Sequence, residues 1–321
     1  MLSAMVKSAI MSIFDKFRLL LNSVGENSKL LEDQNTAYIA VDGQVLLSKQ
    51  AIPGVKIEIK EHADLTIAEI TVTSHTQVTN PVHLCFSMMQ QIGRQNFRVH
   101  IILEPYAKVS FISHGLFTTV DTAKHIMDKT IEIDEGASLS FTDSHFHSQS
   151  GGIKVLSSAK IKVGKRGTYF SDFSLTTGHA GKLNLDYSVE AEEHAVVELT
   201  SRIFGHANDE IKMSEKVSLN GRFSHSVIKS RVALEGEATA MITGITEGCA
   251  EGARGHMDCL EIIKDKAVGQ SIPVVKVSHP LAKITHEAAI GTIDNKQLET
   301  LIAHGLSPEQ ATDLIVLGIL R

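Results

Sequence analysis

The densest concentration of chemistry-bearing side chains in this 321-residue sequence is Gly255-His256-Met257-Asp258-Cys259, followed one strand's length later by Thr285-His286-Glu287. Thiolate, imidazole and carboxylate are the protein ligands available to iron, and thiolate is the soft one that iron–sulfur chemistry selects. Residue type alone leaves two readings open for Cys259, a metal ligand or an inert thiol in the core. A second grouping is His145 and His147, two apart on a predicted strand, so that both rings face the same way as in the histidine pair of a cupin metal site. A cupin would add a glutamate a few residues on, where this chain has Ser148-Gln149-Ser150-Gly151-Gly152. A solvated pair is the plainer reading, and a cupin-like or β-helical metal-binding enzyme using His145 and His147 is the alternative function to weigh.

Several chemistries are excluded by what is missing. The sequence has no GxxxxGK[ST] and no GxGxxG, so ATP hydrolysis is not expected of this chain. It has no CxxC, and His286-Glu287-Ala288-Ala289-Ile290 lacks the second histidine of a zinc-protease HExxH. The formal net charge is −6 with the charges interspersed, which makes nucleic acid a poor partner. Three cysteines, Cys85, Cys249 and Cys259, cannot form a disulfide framework, and the odd count points to reduced thiols in a cytoplasmic compartment. No stretch reaches the ~20 apolar residues of a membrane span. Residues 1–22, with Leu2, Met5, Ile10, Phe14, Phe17 and Leu21 apolar and Lys7, Asp15, Lys16 and Arg18 between them, read as an amphipathic helix packed on the main domain rather than a signal peptide.

The elements that must position these residues show as a repeat. An apolar tetrad at positions 0, +2, +8 and +10, with a turn between its halves, recurs at Ile57-Ile59-Leu65-Ile67, Ile101-Leu103-Val109-Phe111, Ile131-Ile133-Leu139-Phe141 and Val189-Ala191-Val197-Leu199. Two weaker copies are Ile161-Val163-Tyr169 with Ser171, and Val217-Leu219-Val227 with His225; another begins out of step at Val232. From 101 the starts fall at 101, 131, 161, 189 and 217, a near-constant step. Alternation within each half is the period of a strand with one buried face, and the segments 104–107, 134–137 and 164–167 are turn-like. A fixed period of this size marks a solenoid whose units bury their apolar faces only by stacking. The predicted fold is therefore mainly β: a parallel β-helix over 51–280, an N-terminal helical segment over 1–50, and a C-terminal strand and helical segment over 281–321. In the last segment Asn295 to Ala303 reads as a helix ended by Gly305, and Ser307-Pro308-Glu309-Gln310 as a capping box opening a second helix with Ala311, Leu314, Ile315 and Ile319 toward one side. An open solenoid end invites pairing with a second copy.

Residues from about 190 to 321 resemble the SufB/SufD family, most closely its short SufB-like scaffolds. The resemblance rests on Gly252-Ala253-Arg254-Gly255-His256-Met257-Asp258-Cys259, Ile272-Pro273-Val274, Thr285-His286-Glu287-Ala288-Ala289-Ile290-Gly291, and Gln297-Leu298-Glu299-Thr300-Leu301 with His304-Gly305-Leu306-Ser307. It implies a right-handed parallel β-helix with helical ends and a homodimer joined through the β-helix ends. It also implies a transient iron–sulfur cluster assembled at that junction, a separate SufC-type ABC ATPase docked near the carboxyl end, and apo iron–sulfur proteins as recipients. The chain itself is then a scaffold rather than an enzyme. The family's interface cysteine matches Cys259, after a one-residue shift relative to Pro273, and its interface histidine and glutamate match His286 and Glu287. One departure stands out: longer SufB chains carry a further cysteine early in the β-helix, and residues 150–190 here contain none.

Overall fold

A computed structural model describes residues 11–320, which wind into a parallel β-solenoid of about 8 turns with helices at both ends. Of the predicted N-terminal amphipathic helix, Leu2, Met5 and Ile10 lie outside the described residues. The described part is α1 (Ile13–Ser23), capped by Ser12, whose hydroxyl accepts from the Asp15 amide, with Phe17 and Leu21 buried. A 3₁₀ turn (Ser28–Glu32) leads to β1 (Tyr38–Asp42) and β2 (Val45–Gln50), then β3 (Val55–Glu61) and β4 (Thr66–Val72). The coils follow as β5 (Val82–Ser87), β6 (Ile92–Leu103), β7 (Lys108–Phe117), β8 (Thr122–Ile133), β9 (Ser138–His147), β10 (Ile153–Val163) and β11 (Thr168–Thr177). They continue through β12 (Lys182–Ala191), β13 (Val196–Gly205), β14 (Glu210–Leu219), β15 (His225–Leu234), β16 (Thr239–Gly248), β17 (Arg254–Ile263), β18 (Val268–Val277) and β19 (Lys283–Gly291). Helices α2 (Asn295–Ala303) and α3 (Pro308–Ile319) complete the chain, α3 with the predicted capping box between Ser307 and Gln310.

From β4 onward consecutive strands alternate between two sheets, a 10-stranded one ending in β19 and a 9-stranded one ending in β18. The repeat read from the sequence is the axial stacking of this coil. Ile101, Ile131, Ile161, Val189 and Val217 are successive register partners in the smaller sheet, and Val109, Leu139, Tyr169 and Val197 form the matching column in the larger one. Each tetrad supplies two inward residues to each wall, and because every rung repeats them the apolar core is continuous along the axis.

Three members of the pattern are corrected. The copy at Ile57 is no coil: β3 and β4 form an antiparallel hairpin with Ile57 opposite Ile70, and the residue in phase with the columns is Ile70, the partner of Ile101. Past Val197 the turn lengthens by one residue, so the inward partner is Ser226 and both His225 and Val227 point outward. Val232 starts no rung; it partners Ile203 in the larger sheet, whereas the column of Val217 continues at the buried Thr246. A threonine fills the volume of a valine while hiding the position from a hydropathy pattern, which is why the sequence loses its step there.

The turns that join the sheets place Tyr106, Gly136, Arg166, His194, Phe223 and Gly252 at positive φ. Five of the six are tied to the next turn: the Tyr106 amide donates to the Glu135 carbonyl, Gly136 to Lys165, Arg166 to Glu193, His194 to Arg222 and Phe223 to Glu251. At position 252 a Cβ would run into the Phe223 ring, so glycine is required there for space as well as for φ.

The two ends differ. At the start, α1 and the 3₁₀ turn cover the outer face of the larger sheet with a small cluster that includes Tyr38, Cys85 and Leu116. At the finish nothing among the described residues stacks on β18 and β19: Val275, Val277 and Ile290 keep the inward phase yet are 38%, 48% and 46% exposed. Helix α3 does not cap this opening. It folds back onto the outside of the larger sheet, where Val316 and Leu320 pack with Ala233, Phe204 and Ile293. Ala311 is buried as the sequence suggested, but Leu314 is 47% exposed, because the contact stripe runs through Val316 and Leu320 instead.

Candidate functional site

Cys259 sits at the centre of β17, which alternates burial along its length. Met257, Cys259 and Glu261 take the inward phase, while His256, Asp258 and Leu260 face out. Its register partners are Ser230 on the rung below and Ala288 on β19, the final rung. The thiol is therefore one rung inside the open end, roofed by the smallest side chain that a strand commonly carries. It is 3% exposed, and burial raises its pKa, with the Ser230 and Ser271 hydroxyls pulling the other way and the charges of Glu215 and Glu261 adding to the rise. In the free subunit the site holds a protonated thiol, and a metal ion would have to displace that proton.

The other two predicted ligands lie on the edge strand β19. His286 is the register partner of Met257, in the inward phase, and is exposed because no further rung covers it. Glu287 is the partner of Asp258 and takes the outward phase. The pleat thus brings His286 to the same side of the wall as Cys259 and turns Glu287 to the opposite side of that wall. Asp258 itself is engaged by Arg231, an outer-face ion pair. Among the described residues of one subunit no three His, Cys, Asp or Glu side chains surround a common point. Of the remaining cysteines, Cys85 is fully buried beneath the N-terminal cap, its thiol pushed up by burial and by Glu26, and Cys249 lies in the turn after β16, where its amide donates to the Leu219 carbonyl.

The solenoid interior contains polar groups that the tetrad pattern did not reveal. Lys129 and Asp143 form a buried ion pair at 2.8 Å, with the Lys129 ammonium 5.2 and 5.1 Å from the centroids of Phe141 and Tyr187. Burial alone would raise the Asp143 pKa and lower that of Lys129; the pair overrides it in both, holding the carboxyl far below and the ammonium above their usual ranges. Further along, Ser201 donates to Glu215 at 2.5 Å, and burial pushes the Glu215 carboxyl up to about 7. A signal for these was present: Lys129, Asp143, Glu215 and Glu261 share the parity of apolar neighbours such as Ile131, Phe141, Val217 and Met257. A charge in phase with a core stripe is the mark to look for.

His145 and His147 do face the same way, but into the core rather than solvent. Their rings are 3.3 Å apart at the nearest nitrogens, and His147 Nδ1 is bonded to the His179 carbonyl. The cavity beside His145 and His125 measures about 10 Å³, room for about one water molecule and no substrate. Among the described residues no metal-ligand set forms around these histidines, and the cavity is too small for a substrate.

Buried histidines give the fold an acid limit. Burial lowers the pKa of His83 and His114 to about 4 and of His125 and His147 to about 3, against an ordinary 6.5. The unfolded chain therefore takes up protons near 6.5 that the folded chain refuses until about 4 or below, so stability is full above about pH 7 and falls as the pH drops through that window. At pH 5 each such group costs about 2 kcal/mol. Urea midpoints measured at pH 7.5 and 5 should fall steeply, and His125→Gln should lessen the fall. A pH-independent midpoint would contradict the burial of these rings.

The fold and site define a class: a parallel β-solenoid that leaves its last rung bare, with a free cysteine one rung beneath and a histidine on the rim. The chain matches the family profile described as SUF system FeS cluster assembly, SufBD core domain, over residues 85–319. It belongs to the SufBD family of iron–sulfur cluster assembly proteins. Its relatives include an iron-sulfur cluster assembly SufBD family protein of Methanocaldococcus jannaschii, 36% identical over 282 residues that cover 88% of this chain and 89% of that one. Another, from Pyrococcus horikoshii, is 32% identical over 284 residues, covering 88% and 86%. Similarity to the iron-sulfur cluster assembly protein SufB of Bacillus subtilis is confined to 73 residues, 22% of this chain and 16% of that one, at 34% identity. No described helix is long and apolar enough to cross a membrane.

Proposed function

We propose that this chain is a scaffold subunit that assembles a transient iron–sulfur cluster at the junction of two copies and passes it to apo iron–sulfur proteins. The observation that carries the reading is the bare last rung directly above Cys259. Unpaired strand edges with apolar inward residues favour association, and two copies meeting through β18 and β19 would bring together two thiols and two rim histidines. In that arrangement Cys259 supplies thiolate, His286 reaches in from the same side, and Glu287, turned outward within its own subunit, contributes across the junction. The cluster is cargo; a site with few thiolates and labile nitrogen and oxygen donors suits holding it and releasing it. Three unpaired cysteines suit a cytoplasmic location.

A SufC-type ABC ATPase is the proposed energy source, since the chain has no phosphate-binding loop of its own. Helices α2 and α3 are its proposed dock: they leave Ile302, Leu314 and Leu317 exposed, and α3 packs on the outside of the solenoid. Deleting residues 308–321 should abolish co-purification with the ATPase and leave the dimer, because the two contacts lie on different parts of the subunit. Size-exclusion chromatography with light scattering on both complexes is the test, and an intact ATPase complex after the deletion would refute this placement. The scaffold reading as a whole is tested by anaerobic reconstitution with iron and sulfide, which should yield a brown dimeric protein.

A further inference from the structure

Glu261 is the group that the fold leaves without a role. Its side chain has no exposed surface, and neither carboxylate oxygen has a hydrogen-bond partner. It faces inward, with Val232 below it and Ile290 of the open rung above. The space it occupies is reserved for it on the opposite wall: a Cβ at Gly269 would lie 2.7 Å from Glu261 Oε2. A buried carboxylate without donors is costly, so it stays neutral or meets a cation.

Its surroundings favour the cation. Cys259 precedes it by two residues on the same face of β17. Glu215, also buried, has a second oxygen without a partner, and its charge acts on Cys259, while the Ser271 hydroxyl lies beside both Cys259 and Glu261. This part of the interior thus holds two carboxyls and one thiol, and among the described residues it has no buried lysine or arginine of the kind that neutralises Asp143 further along. The pair Cys259 and Glu261 offers one soft and one hard donor, a combination that ferrous iron accepts.

We propose that Glu261 is an iron-facing carboxylate which, with Cys259, forms the inner wall of the assembly site and takes up a divalent iron ion before sulfide arrives. The inference rests on the scaffold reading and adds to it a ligand that faces the axis rather than the rim. Two donors from one subunit are too few for a closed site, so His286 or the second copy completes it. Iron uptake by this wall releases the Cys259 thiol proton, and the Glu261 carboxyl proton where that group is neutral, to solvent, with no change of oxidation state.

The probe is Co²⁺ added alone to the anaerobic full-length protein, read by its thiolate-to-cobalt absorption and by thermal melting. Wild type should show the band and melt higher with Co²⁺, since a ligand bound only by the folded state stabilises it. Glu261→Gln should bind Co²⁺ at least about tenfold more weakly, as loss of a donor group predicts, and should lose the Co²⁺-dependent gain in melting temperature. Gly269→Ala, which keeps the carboxylate but displaces it, should weaken binding in the same direction and serves if Glu261→Gln does not fold. Wild-type Co²⁺ affinity in a folded Glu261→Gln or Gly269→Ala, with binding lost in Cys259→Ser, would overturn the role of Glu261 and leave the scaffold site standing. Unchanged Co²⁺ binding in Cys259→Ser would overturn both.

Discussion

Cys259→Ser should fold and dimerise like the wild type yet retain almost no iron or sulfide after anaerobic reconstitution. The substitution removes the soft donor but little volume, and the new hydroxyl finds the Ser230 hydroxyl as its register neighbour. Cys249→Ser, in a turn, and Cys85→Ala, beneath the N-terminal cap, are the controls expected to keep the cluster; alanine is chosen at 85 because a hydroxyl buried there without a partner would itself cost stability. His286→Ala and Glu287→Ala should weaken cluster retention less completely, since water or another donor can take one position on iron. Iron and sulfide content, the visible spectrum and the dimer fraction are measured together. A folded Cys259→Ser with a normal cluster would remove the central ligand from the proposal and make Cys249 the next candidate.

Asp143→Ala should be the most damaging of the interior substitutions, with a loss of about 3–5 kcal/mol, because it strands the Lys129 ammonium in the solenoid core. Lys129→Met should be harmful for the mirror reason. The double replacement Lys129→Met with Asp143→Leu should recover much of the loss, since no charge then remains to be compensated. Urea unfolding of the four proteins closes this cycle. Additive losses in the double variant would mean that the two groups do not neutralise each other.

The sequence carried the coil because stacking demands repetition. Ile101, Ile131, Ile161, Val189 and Val217 had to be apolar at a near-constant step, and that step is visible without coordinates. The helix boundaries near the carboxyl end were equally legible, since capping by Ser307 and Gln310 is a local contact. Legibility failed where a local pattern has two solutions. The tetrad at Ile57 fits a coil corner or a hairpin, and only pairing with β6 decides between them. Val227 and Ser226 exchanged faces because one extra turn residue shifts the parity of everything after it.

The candidate site divides along the same line. Residue order made Cys259, His286 and Glu287 the candidates, through the family resemblance that their motifs carry, because motifs and donor chemistry are properties of the chain itself. The pleat and the register decided the rest. They put Cys259 one rung beneath the open end, His286 on its side of the wall and Glu287 on the other, and they gathered Lys129 with Asp143, and Glu261 near Cys259, inside a core whose apolar periodicity had hidden them. A charge's effect depends on whether its face is wet or dry, and in a solenoid that is fixed only when each rung has settled on its neighbours.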